Sequence, residues 1–226
     1  MKDQYTNFYS QKNPAKVYPV EFVVRTLLGT YPDLKIDHAS YRGAKILDLG
    51  FGDGRNMPLL HDLGFEVYGV EITDEICNLT RNRMARLGIP VQLQKGTNSD
   101  LPFDDATFDF VLACHSCYYV EPDETFSDNL REIARVLRSG GRFIFSLAKI
   151  DSYILKGAVD RGNGHYQITQ DPRGLRNGGV NRAFGSRDEI ANELETFFSD
   201  FSIGLCENDF YGTYEKVWIG TCSKKS

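Results

Sequence analysis

"ILDLGFGDGRN" runs from Ile46 to Asn56. A short apolar segment ends in a carboxylate, Asp48, and glycines follow at every second position: Gly50, Gly52 and Gly54. Such a segment broken by glycines reads as a buried strand entering a tight turn. Glycine tolerates positive φ and lets the main chain approach a ligand that a Cβ would exclude. The turn is therefore a candidate nucleotide-type site. A dinucleotide turn needs G-x-G-x-x-G, with the third glycine inside the following helix and the pyrophosphate at the helix N-terminus. Here the third glycine comes one residue early and Arg55 fills the slot. The phosphate loop G-x-x-x-x-G-K-[ST] is absent. What remains is D-x-G-x-G-x-G, "DLGFGDG". At the end of the next apolar run, "FEVYGVE", stands Glu71, a carboxylate able to accept hydrogen bonds from both hydroxyls of a ribose.

Outward from this turn the hydrophobic period switches repeatedly. "AKILDLG", "FEVYGVE", "PVQLQKG", "FDFVLACHS" and "RFIFSLA" read as strands. Between them, "RNMPLLHDLG", "TDEICNLTRNRMARLG" and "DETFSDNLREIARVLRSGG" read as helices, the first closed by Gly64 and the second capped by Thr73 or Asp74 and closed by Gly88. Strands alternating with helices predict an α/β, Rossmann-like, doubly wound and mainly parallel sheet. Ahead of it, an irregular start leads to a helix over "PVEFVVRTLLGTY", with Pro19 in its first turn and Gly29 at its end. Residues 151–187 are rich in Gly, Asn and Arg without a period, an irregular insert after the fifth strand. "SRDEIANELETFF" then resumes as a capped helix, and "FSIGLCEND" and "EKVWIGTC" predict a closing antiparallel pair. One domain over 1–226 is expected: a cap segment (1–30), a cofactor-binding core (40–150), an acceptor-side insert (151–187) and a closing helix with strands (188–226).

Composition narrows the function classes. The 226 residues are 41% hydrophobic and 25% charged, enough for a sizeable core. A net charge of −5 argues against a general grip on nucleic acid. The N-terminal residues are polar and aromatic, unlike a secretory signal, and no apolar run reaches membrane-span length. Five scattered cysteines, an odd number, suit free thiols in a reducing compartment. The expectation is a soluble, cytoplasmic protein.

"DLGFGDG" resembles the glycine motif of the class I S-adenosylmethionine-dependent methyltransferases, in their small-molecule, type 11-like branch. "VYGVE" is similar to that family's second strand with its ribose acid, "LPFDDATFDFVLA" to its fourth-strand signature, and "EIARVLRSGGRFIFS" to its helix, double-glycine turn and fifth strand. These matches cover roughly residues 40–150 in the family's order. The resemblance implies S-adenosylmethionine as cofactor and S-adenosylhomocysteine as product. It implies that Gly50, Gly52 and Gly54 form the turn beside the methionine part and that Asp48 orients the turn or the amino group. Glu71 would hold the ribose, with Ile72 packed on the adenine. The family's adenine-binding Asp is replaced by Thr97, so Thr97, Asn98 and Ser99 are the candidates at that edge.

Methyl transfer from a sulfonium is an in-line displacement in which alignment supplies much of the rate, and a base is needed only for an acceptor that must lose a proton early. "CHSCYYVEPD" follows the fourth strand. In this fold it faces the methyl group, which makes His115 both a cofactor-wall residue and the candidate base; a packing histidine is the competing reading. Tyr118 and Tyr119 either wall the acceptor pocket or pack in the core. Cys114 and Cys117 form a C-x-x-C without the second pair that a tetrahedral metal site requires, so no metal is expected. The insert carries six Lys/Arg against three Asp, a local +3 in an acidic chain. Arg173 and Arg176 are candidates to bind an anionic acceptor group, with His165 and Tyr166 beside them; a solvated loop is the alternative. In similar methyltransferases the N-terminal segment folds over the cofactor, which gives Tyr5, Phe8, Tyr9 and Tyr18 the same expected place here. The leading expectation is methyl transfer to a small-molecule acceptor, a sugar or another metabolite with an anionic group, without nucleic acid or membrane partners. The alternatives are an NAD-dependent oxidoreductase and a non-catalytic module that binds an adenosyl ligand.

Overall fold

The structure, a computed structural model, describes residues 2–11 and 16–226. Two helices, α1 (Lys2–Gln11) and α2 (Glu21–Leu28), precede β1 (Lys45–Leu49). Then come α3 (Met57–Asp62), β2 (Glu66–Glu71), α4 (Asp74–Arg86), β3 (Val91–Lys95), β4 (Phe108–Ala113), β5 (Tyr119–Val120), α5 (Phe126–Val136) and β6 (Leu137–Lys149). The last third holds β7 (Val159–Asp160), β8 (His165–Gln167), β9 (Val180–Phe184), α6 (Arg187–Leu194), β10 (Phe198–Phe210) and β11 (Thr213–Lys224).

The strands β3-β2-β1-β4-β6 are parallel neighbours in that order. β11 lies antiparallel against β6, and β10 antiparallel against β11. Strands β1 and β4 are apolar on both faces because helices cover both, leaving nearly every residue in them buried. One buried cluster packs Met57, Leu60, Ile76 and Met84 against Ile46 and Leu112; the other packs Leu130 and Ile133 against Leu47, Val111 and Phe143. The chain winds outward from β1 to β3 and then returns to β4. The strand order therefore reverses between β1 and β4, whose carboxyl ends carry the glycine turn and Cys114–Ser116.

Helix starts follow the side-chain chemistry. Thr73 accepts a hydrogen bond from the Ile76 N–H at 3.3 Å, and Thr125 and Asp128 form a reciprocal capping box at the head of α5. α4 ends at Gly88 in the left-handed region (φ 71°). Three expectations need correction. α2 begins at Glu21, leaving Pro19 outside the helix. The N-terminal residues form a helix, α1, because Tyr5, Phe8 and Tyr9 sit at i, i+3 and i+4 and share one face. The insert is not irregular throughout: β8 pairs antiparallel with β7 and β9, and the end of β9 runs parallel to the end of β6, at Ala148 and Lys149.

Candidate functional site

At the end of β1 all three glycines of the turn have positive φ: 69° at Gly50, 56° at Gly52 and 72° at Gly54. Close neighbours reinforce the requirement. A Cβ on Gly50 would meet Ser116 Cβ at 2.4 Å, and one on Gly52 would meet the Tyr9 hydroxyl at 2.3 Å. The turn thus lies between the β4 end on one side and α1 on the other. Its amides have a definite partner: the Gly52 N–H donates to Glu71 Oε1 at 3.0 Å, while the Ile72 N–H donates to Oε2 at 2.8 Å. Glu71 is buried, and burial raises its pKa against the opposing pull of these two N–H groups. Thr80 closes the turn from α4, donating to the Gly52 carbonyl at 2.8 Å.

Asp48 is the unusual group. It is fully buried, and neither carboxylate oxygen has a hydrogen-bond partner among the described residues. Burial, and then the neighbouring carboxylates Glu71 and Asp53, push its pKa from 3.8 to about 8. An uncompensated buried carboxylate is costly, and a cation brought beside it would remove the penalty. Asp53, absent from the sequence expectations, is held by Arg55 through two hydrogen bonds of 3.0 and 2.9 Å.

Gly50, Asp53, Arg55 and Glu71 border a cavity of about 290 Å³. Gly50, Glu71, Ile72, Thr97, Asn98 and His115 line its first half; Tyr118, Tyr119, Tyr153, Arg173, Arg176 and Glu215 line the second. Asp48, Gly52, Gly54 and Ser99 stand behind this wall. The Asn98 amide is committed to the backbone, donating to the carbonyls of Ser116 and Tyr119 at 3.0 Å each, while the Thr97 hydroxyl lies 3.3 Å from that of Ser99. From α1, Tyr5, Phe8 and Tyr9 reach the cavity, and the hydroxyls of Thr6 and Thr73 lie 3.1 Å apart. Tyr18 does not reach it and faces solvent.

His115 has positive φ (56°), its N–H donates to Ser146 Oγ at 2.8 Å, and its ring meets Phe22 edge-on. Burial, then Arg176 and Arg55, lower its pKa to about 4. The imidazole is neutral near pH 7 and a weak base. Tyr118 and Tyr119 stack at 4.9 Å and Tyr5 meets Tyr119 edge-on, so these tyrosines both pack and line the cavity. Among the described residues no cluster of His, Cys, Asp or Glu could hold a metal ion.

The insert's arginines separate by role. Arg182 is buried and pairs with Glu189 and Glu193 at 3.0 and 2.9 Å. Arg176 is paired with buried Asp171 at 3.2 Å and lies over the Tyr153 ring. Arg173 is exposed at the cavity wall and makes no ion pair or side-chain hydrogen bond among the described residues. His165 and Tyr166 do not reach the cavity. The register that sets His165 opposite Arg182 places them on β8, and Tyr166 packs against the core. Glu215 and Tyr153 were not legible as site residues, because long-range pairing of β11 and the turn after β6 bring them there.

A methyltransferase-domain family model of the type 11 branch matches residues 47–145. Over 154 residues the chain is 29% identical to the uncharacterized methyltransferase YcgJ of Bacillus subtilis, covering 65% of this chain and 57% of that protein. Over 103 residues it is 35% identical to a demethylmenaquinone methyltransferase of Tropheryma whipplei, covering 45% of this chain and 41% of that one. The chain thus spans roughly half the length of these curated relatives. Among solved structures, the PH0226 protein of Pyrococcus horikoshii matches with a TM-score of 0.66 at 21% identity, covering 96% of this chain and 99% of that one. A Burkholderia thailandensis 1,6-didemethyltoxoflavin-N1-methyltransferase, solved with 1,6-didemethyltoxoflavin and S-adenosylhomocysteine, matches with a TM-score of 0.57 at 22% identity; it covers 82% of this chain and 72% of that one. These structural likenesses establish the fold. With the glycine turn and the acid at the end of β2 on the same strands, residues 47–145 match the methyltransferase domain of the type 11 branch, within the class I S-adenosylmethionine-dependent methyltransferases.

Proposed function

We propose that the chain transfers a methyl group from S-adenosylmethionine to a small molecule bearing an anionic group, a sugar or another metabolite. The observation that carries this reading is the single cavity reaching from the glycine turn and Glu71 to Tyr118, Tyr119, Arg173 and Arg176. The residues fit the cofactor. Asp48 offers a buried carboxylate that lacks a partner among the described residues and suits the cofactor's cationic amino group. Glu71 stands at the end of β2 with oxygens suited to ribose hydroxyls, and Ile72 and Thr97, which line the same cavity, are suited to the adenine. When bound, the cofactor supplies an activated methyl group on a sulfonium.

The chain's own work is then alignment and exclusion of water. Tyr5, Phe8 and Tyr9 cover the turn, and the stacked pair Tyr118 and Tyr119 walls the acceptor side. Orientation of this kind supplies much of the rate. With its pKa lowered to about 4, His115 serves as a neutral wall and hydrogen-bonding group rather than as a strong base. An acceptor atom nucleophilic without prior deprotonation suits such a site. Arg173 is the cation available to an anionic acceptor group, while Arg176 adds field from its pair with Asp171. Five free cysteines and the lack of a membrane-spanning helix among the described residues support a reducing, cytoplasmic setting.

Calorimetric titration with S-adenosylmethionine, S-adenosylhomocysteine and NADH tests the reading. Only the adenosyl ligands should bind, and Glu71→Ala should weaken them by about 1.5–3 kcal/mol, the value of hydrogen bonds to a charged group. Binding of NADH alone would overturn it.

A further inference from the structure

A second cavity, of about 430 Å³, lies between α2 and the β10–β11 hairpin. Phe22, Leu205, Phe210 and Ile219 supply apolar wall, and Val20, His115, Glu215 and Val217 line both cavities. The two spaces therefore adjoin beside His115, where the end of β4 meets the acceptor half of the first cavity.

Their charges differ in a way that orients an occupant. The acceptor half of the first cavity has Arg173 and Arg176 on its wall, Arg176 paired with Asp171, and beside them Lys216, which is held by Asp151 at 2.6 Å and Glu207 at 3.7 Å. The second has three carboxylates: Glu21, paired with Arg25 at 2.9 Å, Glu207, paired with Lys216 at 3.7 Å, and Glu215. Glu215 stands at the junction, and its side chain makes no hydrogen bond or ion pair among the described residues; it feels Arg173 and Arg176 only through space. Arg173 is thus the cation left open to an anion at the acceptor half, while Glu215 disfavours an anion at the junction and beyond it. The second offers apolar surface instead, with Phe210 49% and Leu205 36% exposed at its rim. Apolar side chains left open beside a ligand cavity are stabilised by an apolar occupant.

Resting on the methyltransferase reading, we infer that the acceptor is an elongated, dissolved amphiphile. Its anionic head lies at Arg173 and Arg176, and its apolar portion passes Glu215 into the second cavity between α2 and the β10–β11 hairpin. The junction at His115 and Glu215 then falls within the acceptor's length, so neither its charged end nor its tail end is the part nearest the end of β4.

The test uses straight-chain carboxylates as probes. Full-length protein loaded with S-adenosylhomocysteine is titrated calorimetrically with acetate, hexanoate and decanoate. Affinity should rise with length, by up to about fourfold for each methylene buried. Decylammonium should bind roughly tenfold or more weakly than decanoate, since its charge opposes Arg173. Arg173→Ala should weaken every carboxylate by a similar factor, whereas Phe210→Ser and Leu205→Asp should remove the gain between hexanoate and decanoate. Both hairpin positions are partly exposed, and retained S-adenosylhomocysteine binding reports that each variant is folded. Equal affinity for hexanoate and decanoate in the unmutated protein would overturn the inference, as would a length dependence that survives both hairpin substitutions. The preliminary titration keeps the two readings apart. Loss of S-adenosylhomocysteine binding strikes the methyltransferase reading, whereas retained binding without length dependence strikes this inference alone.

Discussion

Asp48→Asn tests the buried carboxylate directly. In the folded chain the Asp48 pKa is about 8, against 3.8 for an ordinary aspartate, because the group is desolvated and faces Glu71 and Asp53. Between these pH values the folded chain holds a proton that the unfolded chain has lost. Stability from this group therefore falls as pH rises from about 4 to about 8, and is level above that. Each tenfold change in proton affinity corresponds to about 1.4 kcal/mol, so the fall amounts to roughly 5–6 kcal/mol. Asparagine keeps the shape and removes the charge, at a cost of about 1–3 kcal/mol for an unpaired buried amide. Asp48→Asn should then gain on the unmutated protein steadily from pH 5 to pH 9 and be the more stable one at pH 9, by about 2–5 kcal/mol there. At about 2–4 °C per kcal/mol for a chain of this size, the expected Tm lead at pH 9 is about 5–20 °C. Differential scanning calorimetry of both proteins from pH 5 to 9 cancels the titration of every other group. A Tm difference that stayed flat across this range would falsify the unpartnered carboxylate. If the same oxygens receive the cofactor's amino group, S-adenosylhomocysteine should also displace close to one proton at pH 7, read as a dependence of binding enthalpy on buffer ionisation enthalpy.

Other perturbations separate structural from binding roles. Arg176→Ala leaves Asp171 buried without its cation and should cost about 3–5 kcal/mol in urea unfolding; Arg173→Ala should leave the unfolding midpoint unchanged. A midpoint shift of equal size in both would refute that division. Gly52→Ala combines a left-handed backbone with a Cβ 2.3 Å from the Tyr9 hydroxyl. It should cost about 1–2 kcal/mol and speed amide exchange across α1; unchanged exchange there would mean that Tyr9 does not cover the turn. Thr125→Ala removes one side of the α5 capping box and should lower stability by about 0.5–2 kcal/mol without altering adenosyl-ligand affinity. A binding loss would show that α5 reaches the site.

The parallel core was legible because its information is local. "ILDLGFGDG" and "FEVYGVE" each carry strand, turn and acid within a few residues, and the hydrogen bond from the Gly52 N–H to Glu71 joins two groups that the spacing already singled out. Helix starts at Thr73 and Thr125 were legible for the same reason. α1 was not, since its buried face consists of tyrosines and a phenylalanine whose hydroxyls and polar neighbours conceal a helical stripe. The insert's strands are two, three and five residues long, too short for a period to emerge. Charge counting pointed to an arginine-rich segment but gave no sign that Arg182 serves Glu189 and Glu193 while Arg173 faces the cavity. His165 and Tyr166 were misplaced because the β8–β9 register, not proximity in sequence to the arginines, decides where they sit. Glu215 reaches the site only through the pairing of β11 with β6, a contact between residues 217–223 and 142–148.

That pairing also governs how the molecule is assembled. β11 is interior to the sheet, with β6 on one side and β10 on the other. During synthesis β6 leaves the ribosome many tens of residues before its partner, and until residues 213–224 emerge both β6 and β10 present raw hydrogen-bonding edges. Pairings this distant in sequence are slow to close, and an unpaired edge is a template for other chains. Loss of β11 should therefore turn a late-folding sheet into an aggregation-prone one, even though the glycine turn proposed to bind the cofactor is carried by β1, three strands along the sheet.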